Sequence, residues 1–424
     1  MLVFKFGGAS VKDANAVRNV AKILHLYPKE KLLVVISAMG KTTNLLETIV
    51  NAYWNKETSA FENAIQEAKK YHLQIANDLF QDASAPIFSE IQELFHTLQQ
   101  KINETPSSDF SLEYDQIVSL GEVLSTKIVS AFLLSAEFSV SWADARNLIC
   151  TDASYRDGNV NWQKTQIAVE EKLIPVFKEK NIVITQGFIG SSEQNKTTTL
   201  GREGSDYSAG IFAFCINAKS VTIWKDVPGM LNADPKHFEN TVKLDEISFK
   251  EAIELSYYGA SVIHPKTIKP LQNKGIPLYV KSFISPKEKG TIIHSCVDYD
   301  ELVPSFIVKK NQLLLSIMPK DFSFMVEENL RDVFDLLSKT KVKINLMQNS
   351  AVSFSFLVDA DKIDFSHLLT LFQTNYEVKF NNDLELVTIR HYDQATIDKM
   401  SEGKNKILEQ RDRQTVRLLL KKQG

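Results

Sequence analysis

Short apolar runs recur through the first 300 residues of the chain, each too brief for a helix and too continuous for a half-exposed surface. Leu2 to Phe6, Leu32 to Ile36, Asn181 to Thr185, Ser220 to Trp224 and Pro277 to Val280 are rich in valine, isoleucine, leucine or phenylalanine, the pattern of buried strands. Between them lie stretches of helical periodicity, among them Asp13 to Leu26 and Phe249 to Ser256. Such alternation predicts a mostly parallel sheet with helices on both faces. From about residue 45 to about residue 110 glycines are few and Ala, Glu, Gln, Lys and Leu are many, which predicts a helical elaboration rather than more sheet.

The rhythm changes between Gly290 and Pro304. From there a shorter cycle is expected: a strand over Gln312 to Ile317, a helix over Glu328 to Leu337, and strands over Lys343 to Met347 and Ser353 to Val358. An abbreviated second cycle follows, with a strand over Glu385 to His391, a helix over Ala395 to Met400, then Lys406 to Glu409 and Thr415 to Leu420. The expected domains are therefore 1–297 and 305–424, the second with a weak internal repeat. The basic residues near the end, Lys404 to Lys422, read as a solvated strand face rather than an anion site.

A length of 424 residues favours more than one domain. With 44% hydrophobic and 24% charged residues and a net charge of -3, the composition is that of an ordinary globular protein and does not favour a nucleic-acid partner. Cys150, Cys215 and Cys296 are too widely spaced for a disulfide framework or a CxxC motif, which fits a reducing cytoplasm. Met1 runs directly into the Leu2 to Phe6 segment, leaving no room for a signal peptide. The longest apolar stretch, near Ile128 to Ala136, is under half of the roughly 20 residues a bilayer demands. A soluble cytoplasmic protein with no membrane anchor is the expectation. No HExxH, GxSxG or strand-associated GxGxxG occurs, which argues against a zinc hydrolase, a serine hydrolase and a nicotinamide-binding domain.

Candidate chemistry gathers at strand ends. Lys5-Phe6-Gly7-Gly8-Ala9-Ser10 puts a cation and two glycines between a strand and a helix, where backbone N–H groups can approach phosphate oxygens; a plain tight turn fits equally well. Ser37-Ala38-Met39-Gly40-Lys41-Thr42-Thr43 closes the second strand, either as ligand contacts or with Thr42 or Thr43 as a helix cap, and lacks the Walker spacing. The densest signal is Thr197 to Gly210, containing Gly201-Arg202-Glu203-Gly204-Ser205-Asp206 just after the glycine-bearing Gln186 to Gly190. Its arginine has the fork geometry to hold a carboxylate, and Asp206 is a functional acid in preference to a cap. Lys225-Asp226-Val227-Pro228-Gly229 and Ala233-Asp234-Pro235-Lys236 add cations at a further strand end. Glu122 opens a helix, where the bland alternative is a solvated first-turn acid.

Taken in order, KFGG, SAMGKTTNLL, GE, TQGFIG, TTTLGREGSDYSAG, WKDVPGM with ADP, and GASVIHPKTIKPL resemble the aspartate kinases of the amino acid kinase family across about residues 1 to 297. The resemblance implies a three-layer αβα fold with an open, mostly parallel eight-stranded sheet, followed by an α+β ACT-like region. It implies ATP-dependent phosphorylation of the aspartate side chain, the first step toward lysine, threonine and methionine, with Mg²⁺ carried by the nucleotide. On the matching positions, Lys5 would bridge the transferred phosphoryl group and Gly7, Gly8 and Ser10 would line the phosphates. Asp206 would orient Lys5; Arg202 would hold the aspartate α-carboxylate and Glu122 its ammonium, with Ser37, Thr43 and Ser205 nearby. Lys225, Asp226, Lys236 and Ser261 fall at nucleotide-side positions.

The chain departs from the family in two places. Many relatives carry a lysine at Ser261, a loss for which Lys225 or Lys266 would compensate. In the tail the family's acidic residues fall at Asn345 and Ala351, so the ACT-like region is expected to pair two subunits rather than to bind lysine or threonine strongly. The rival expectation is a catalytically weak sensing or scaffolding subunit of the same fold. A carboxylate is already an ionised nucleophile at neutral pH, so the chemistry asks for positioning and charge neutralisation rather than a general base.

Overall fold

The apolar runs pair side by side. In the computed structural model, which describes residues 1–260, 263–301, 303–321 and 323–422, they build an eight-stranded sheet. Its order is Glu246–Ser248, Thr291–His294, Leu278–Ser282, Ser220–Lys225, Leu2–Phe6, Leu32–Ile36, Ile182–Gln186, Val140–Ala143. Every neighbouring pair is parallel except Leu278–Ser282 with Thr291–His294. Leu32–Ile36 is buried at every position, as a sheet covered on both faces requires. The first strand is central, with Leu32–Ile36 on one side and Ser220–Lys225 on the other. Connections leave it in both directions, and the carboxyl ends of the strands open a crevice there, the usual ligand position in an α/β sheet.

Asp13 accepts a hydrogen bond from Ala16 N and caps the Ala14–Leu24 helix, which starts one residue after and ends two residues before the helix that the periodicity gives over Asp13 to Leu26. The elaboration is helical: Thr42–Asn55, Thr58–Leu79, Pro86–Gln100 and Phe110–Val118, followed by Leu120–Ser135. The run from Phe110 to Ser135 is long and apolar enough to cross a membrane by length and composition, but 67% of its most apolar window is buried inside the protein. Ile117, Val118, Leu124, Ile128, Val129 and Leu133 belong to the same core as Phe4, Phe6 and Val34, so this helix pair is a core element.

Residues 1–230, 243–253 and 261–299 form one unit, and residues 231–242, 254–260 and 300–424 a second. The second contains a six-stranded antiparallel sheet in the order Leu346–Asn349, Phe354–Asp359, Ser305–Pro319, Tyr376–Arg390, Thr415–Lys422, Lys404–Arg411. The two cycles expected from the sequence therefore share one sheet. Ser305–Pro319 and Tyr376–Arg390, at 15 residues each, serve both halves. Their register shifts between Lys309 and Leu314, where Asn311 and Asp383 take left-handed φ values of 53° and 56°; such a bulge bends a long strand pair without ending it. A helix with no sequence counterpart, Phe365–Gln373, is capped by Asp364 and buries Leu368 and Phe372.

Candidate active site

Lys5 is the next-to-last residue of the central strand and is buried. Its ammonium lies 2.6 Å from Asp206 Oδ1, while Lys225, closing the adjacent strand, stands 3.6 Å from Asp206 Oδ2. Asp206 sits in the first turn of the Gly204–Cys215 helix with 3% of its surface exposed. Burial works against its ionisation, but Lys5 and Lys225 outweigh it and hold the carboxyl below the usual range. The helix is preceded by Glu203, so Asp206 is a charged partner of the two lysines rather than a cap.

The glycine turn lies directly beneath this cluster, since a Cβ on Gly7 would meet Lys5 Nζ at 3.4 Å. A Cβ on Gly8 would sit 2.8 Å from Ala38 O and 2.9 Å from Gly40 O, both backbone atoms, so only glycine fits. Gly40 N donates to Gly8 O at 3.0 Å, fastening the first turn to the second. The Thr58–Leu79 helix secures both: Tyr71 donates its hydroxyl to Lys12 O, and fully buried His72 bonds Ala68 O at 2.7 Å and Thr42 Oγ1 at 3.2 Å. Burial lowers His72 to about 4, so it stays neutral and Nδ1 donates to the carbonyl. Lys41, not Thr42 or Thr43, precedes the Thr42–Asn55 helix, and the Thr42 hydroxyl proton is instead shared between Met39 O at 2.6 Å and His72 Nε2 at 3.2 Å.

Glu122, in the first turn of Leu120–Ser135, is 3% exposed, which removes the solvated-acid alternative. Its Oε1 accepts a long 3.4 Å contact from Ala38 N, and Oε2 is buried without a hydrogen-bond partner. Burial pushes its carboxyl up to about 8, against weaker opposing pulls from the Ala38 amide and Lys5. The Thr197–Thr199 strand leading into the arginine loop is held by Asp115, whose carboxylate accepts from Thr199 N at 2.8 Å, Thr199 Oγ1 at 2.7 Å and Arg156 N at 3.0 Å. Across the loop, a Cβ on Gly187 would fall 2.5 Å from that of Ser205, so a glycine there lets the helix start close against the sheet.

These elements enclose a cleft of about 310 Å³ lined by Lys5, Ser37, Thr43, Glu122, Ser205, Asp206 and Lys225, with Gly201, Gly204, Phe188 and Glu203 completing the wall. Buried Ser10 lies in the short helical turn that begins at Gly8. Arg202 and Asp226 are exposed, as is Lys236 in the second unit. Ser261 lies outside the described residues. Of its two expected substitutes, Lys225 is in the cleft, whereas Lys266 pairs with Asp157 at 2.5 Å. Sequence reasoning missed Asp115, Tyr71 and His72, which act through backbone and neighbouring side chains, and left Glu203 without a role. Asp115 stands seven residues before Glu122, a same-face helical spacing that was a usable signal.

A model of the amino acid kinase family matches residues 1–282. Lysine-sensitive aspartokinase 3 of Escherichia coli (strain K12) is 31% identical over 365 residues, covering 85% of this chain and 78% of that one. Aspartokinase 1, chloroplastic, of Arabidopsis thaliana is 32% identical over 371 residues, covering 85% of this chain and 64% of the plant chain. The crystal structure of E. coli aspartokinase III in complex with aspartate and ADP aligns with a TM-score of 0.81 at 27% identity, over 99% of this chain and 96% of that one. Clostridium acetobutylicum aspartate kinase shares the fold at a TM-score of 0.80 and 23% identity, covering 99% of this chain and 96% of that one. Motif order, cleft and relatives agree, and the chain belongs to the amino acid kinase family, on its aspartokinase branch.

Proposed function

We infer that the chain transfers the γ-phosphoryl group of ATP to the side-chain carboxylate of aspartate, giving 4-phospho-L-aspartate and ADP. The observation that carries this reading is the convergence of Lys5, Lys225 and Asp206 over a glycine turn, in the cleft where Glu122 holds an unsatisfied buried oxygen. The nucleophile comes with the substrate, so the protein's part is to align two anions and neutralise the charge between them. Lys5 neutralises the transferring phosphoryl oxygens, and Asp206 holds the lysine in place so that little reorganisation is needed at the transition state. Gly7, Gly8 and Ser10 line the phosphates. Glu122 takes the substrate ammonium and Arg202 the α-carboxylate, with Ser37, Thr43 and Ser205 around them. Lys225, Asp226, Lys236 and Ser261 serve the nucleotide side.

Among the described residues no three metal-binding side chains cluster, and Asp206 is engaged by two lysines. Mg²⁺ would come in with ATP, held largely by phosphate oxygens and water. The finer reading is a cytoplasmic enzyme feeding lysine, threonine and methionine synthesis, paired as a homodimer through its ACT-like region. The test is ATP turnover with Mg²⁺ and aspartate, trapping the acyl phosphate with hydroxylamine beside a glutamate control. Aspartate-dependent hydroxamate is expected; no product with aspartate would overturn the reading.

A further inference from the structure

Glu203 has no part in the mechanism above. It precedes the Gly204–Cys215 helix with φ 53° and ψ 29°, a left-handed conformation that is strained for a residue with a Cβ. Its carbonyl accepts from Asp206 N at 3.0 Å and Tyr207 N at 3.1 Å, which starts the helix. That task needs only backbone, and glycine would perform it without strain. The side chain instead lines the cleft, and its Oε2 is buried with no hydrogen-bond partner.

Glu122 Oε2 is in the same condition in the same cleft. Two carboxylates, carried by the Leu120–Ser135 helix and by the turn before Gly204–Cys215, each bring one desolvated, unsatisfied oxygen to one small space. Leaving such an acceptor unpaired in a buried place is costly, and more so when it is charged. Lys5 and Lys225 are engaged on Asp206. A primary ammonium carries three donors on one atom and one positive charge, which is the ligand chemistry that satisfies two carboxylate oxygens together.

We propose that Glu203 is a specificity-determining residue: it supplies a second acceptor, beside Glu122, for the ammonium of the amino-acid substrate, and so selects an α-amino dicarboxylate over the same dicarboxylate lacking the amine. This rests on the aspartate kinase reading. With no amine to bind, two desolvated carboxyl oxygens in the cleft are left without a partner; with the amine present, one ammonium hydrogen-bonds both.

The experiment compares the full-length protein with its Glu203→Gln and Glu203→Gly variants, measuring the aspartate KM by hydroxamate formation and the Ki of succinate as a competitive inhibitor. Both variants are expected to raise the aspartate KM by about tenfold, the worth of one charge-assisted hydrogen bond, with the loss on KM rather than kcat. The succinate Ki is expected to stay level or fall, so that discrimination for the amine collapses. An aspartate KM within about twofold of wild type in Glu203→Gln, or a KM and Ki raised by the same factor in either variant, overturns the proposal. So does a Glu203→Gly variant that retains the wild-type KM, because the residue would then matter only as backbone. Failure of the unmodified protein to phosphorylate aspartate overturns the kinase reading instead. Calorimetric binding of aspartate and succinate would then still test Glu203.

Discussion

Asp359 in the second unit and Glu122 in the first are both carboxylates drawn out of water, and their surroundings treat them oppositely. Burial alone would raise Asp359, but Gln312 Nε2, Lys362 Nζ and Asn345 Nδ2 each donate to it at 2.8 Å and bring it down to about 2. Asn345 is used up by the same network: its Oδ1 accepts from Lys309 Nζ and its Nδ2 also donates to Gln312 Oε1, both at 2.8 Å. Glu122 has one long amide contact, an oxygen with no partner, and a carboxyl at about 8. A buried polar group satisfied from within holds the fold together; one left unsatisfied costs stability and points to a ligand. By that criterion the first unit keeps a site open, while the polar centre of the tail is closed on itself.

The sharpest way to break this contrast is Lys5→Ala, expected to lower kcat by about 100- to 1000-fold with a much smaller effect on the nucleotide KM. A near-normal rate would remove Lys5 from the transition state. Glu122→Gln is expected to raise the aspartate KM by about 100-fold and yet to stabilise the protein at high pH. Its ordinary pKa of 4.5 rises to about 8 on folding, so between those values the folded chain keeps a proton the unfolded chain has lost. Wild-type stability from this group is complete below the lower value and drains away as pH rises to the upper one. The variant should therefore gain in Tm over wild type by several degrees between about pH 5 and about pH 8. An equal Tm difference at both pH values would mean Glu122 is already ionised and satisfied.

Asp359→Asn should behave in the reverse manner, losing about 1–2 kcal/mol in urea unfolding, since the group is partly solvated, while the aspartate KM holds. Its lowered carboxyl contributes stability above the usual 3.8 that is lost as pH falls toward about 2, so the variant's deficit should shrink in acid. The smallest effect expected is that of effectors: millimolar lysine or threonine should change turnover by less than about twofold, because a closed polar centre offers an ammonium no unpaired carboxylate. Strong inhibition would show a second open site in the tail.

Buried strands such as Leu2–Phe6 and Leu32–Ile36 were legible to the residue because a five-residue run between turn signals that is apolar throughout, or apolar but for Lys5, has few other uses. The amino half of Tyr376–Arg390 was not, because its side chains are mostly exposed and its ladder with Met318 to Leu314 is held by backbone rather than by an apolar alternation. The Phe365–Gln373 helix is nine residues long, too short for its periodicity to stand out. In the cleft, Lys5, Asp206 and Glu122 were marked by motif order. That Glu122 is buried without a partner depends on packing among distant segments, which no local pattern encodes. Glu203 was visible as a letter, but not as a left-handed residue whose side chain reaches the cleft.

The proton on Glu122 also has a thermal signature. Near neutral pH the empty cleft holds a neutral carboxyl, and an arriving ammonium favours the ionised form, so each aspartate that binds should expel up to one proton into the buffer. Heats of aspartate binding measured at one pH in phosphate and in Tris should then differ in proportion to the buffers' ionisation enthalpies, and the difference should vanish in Glu122→Gln. The enzyme would acidify its surroundings on binding, before any phosphoryl group has moved.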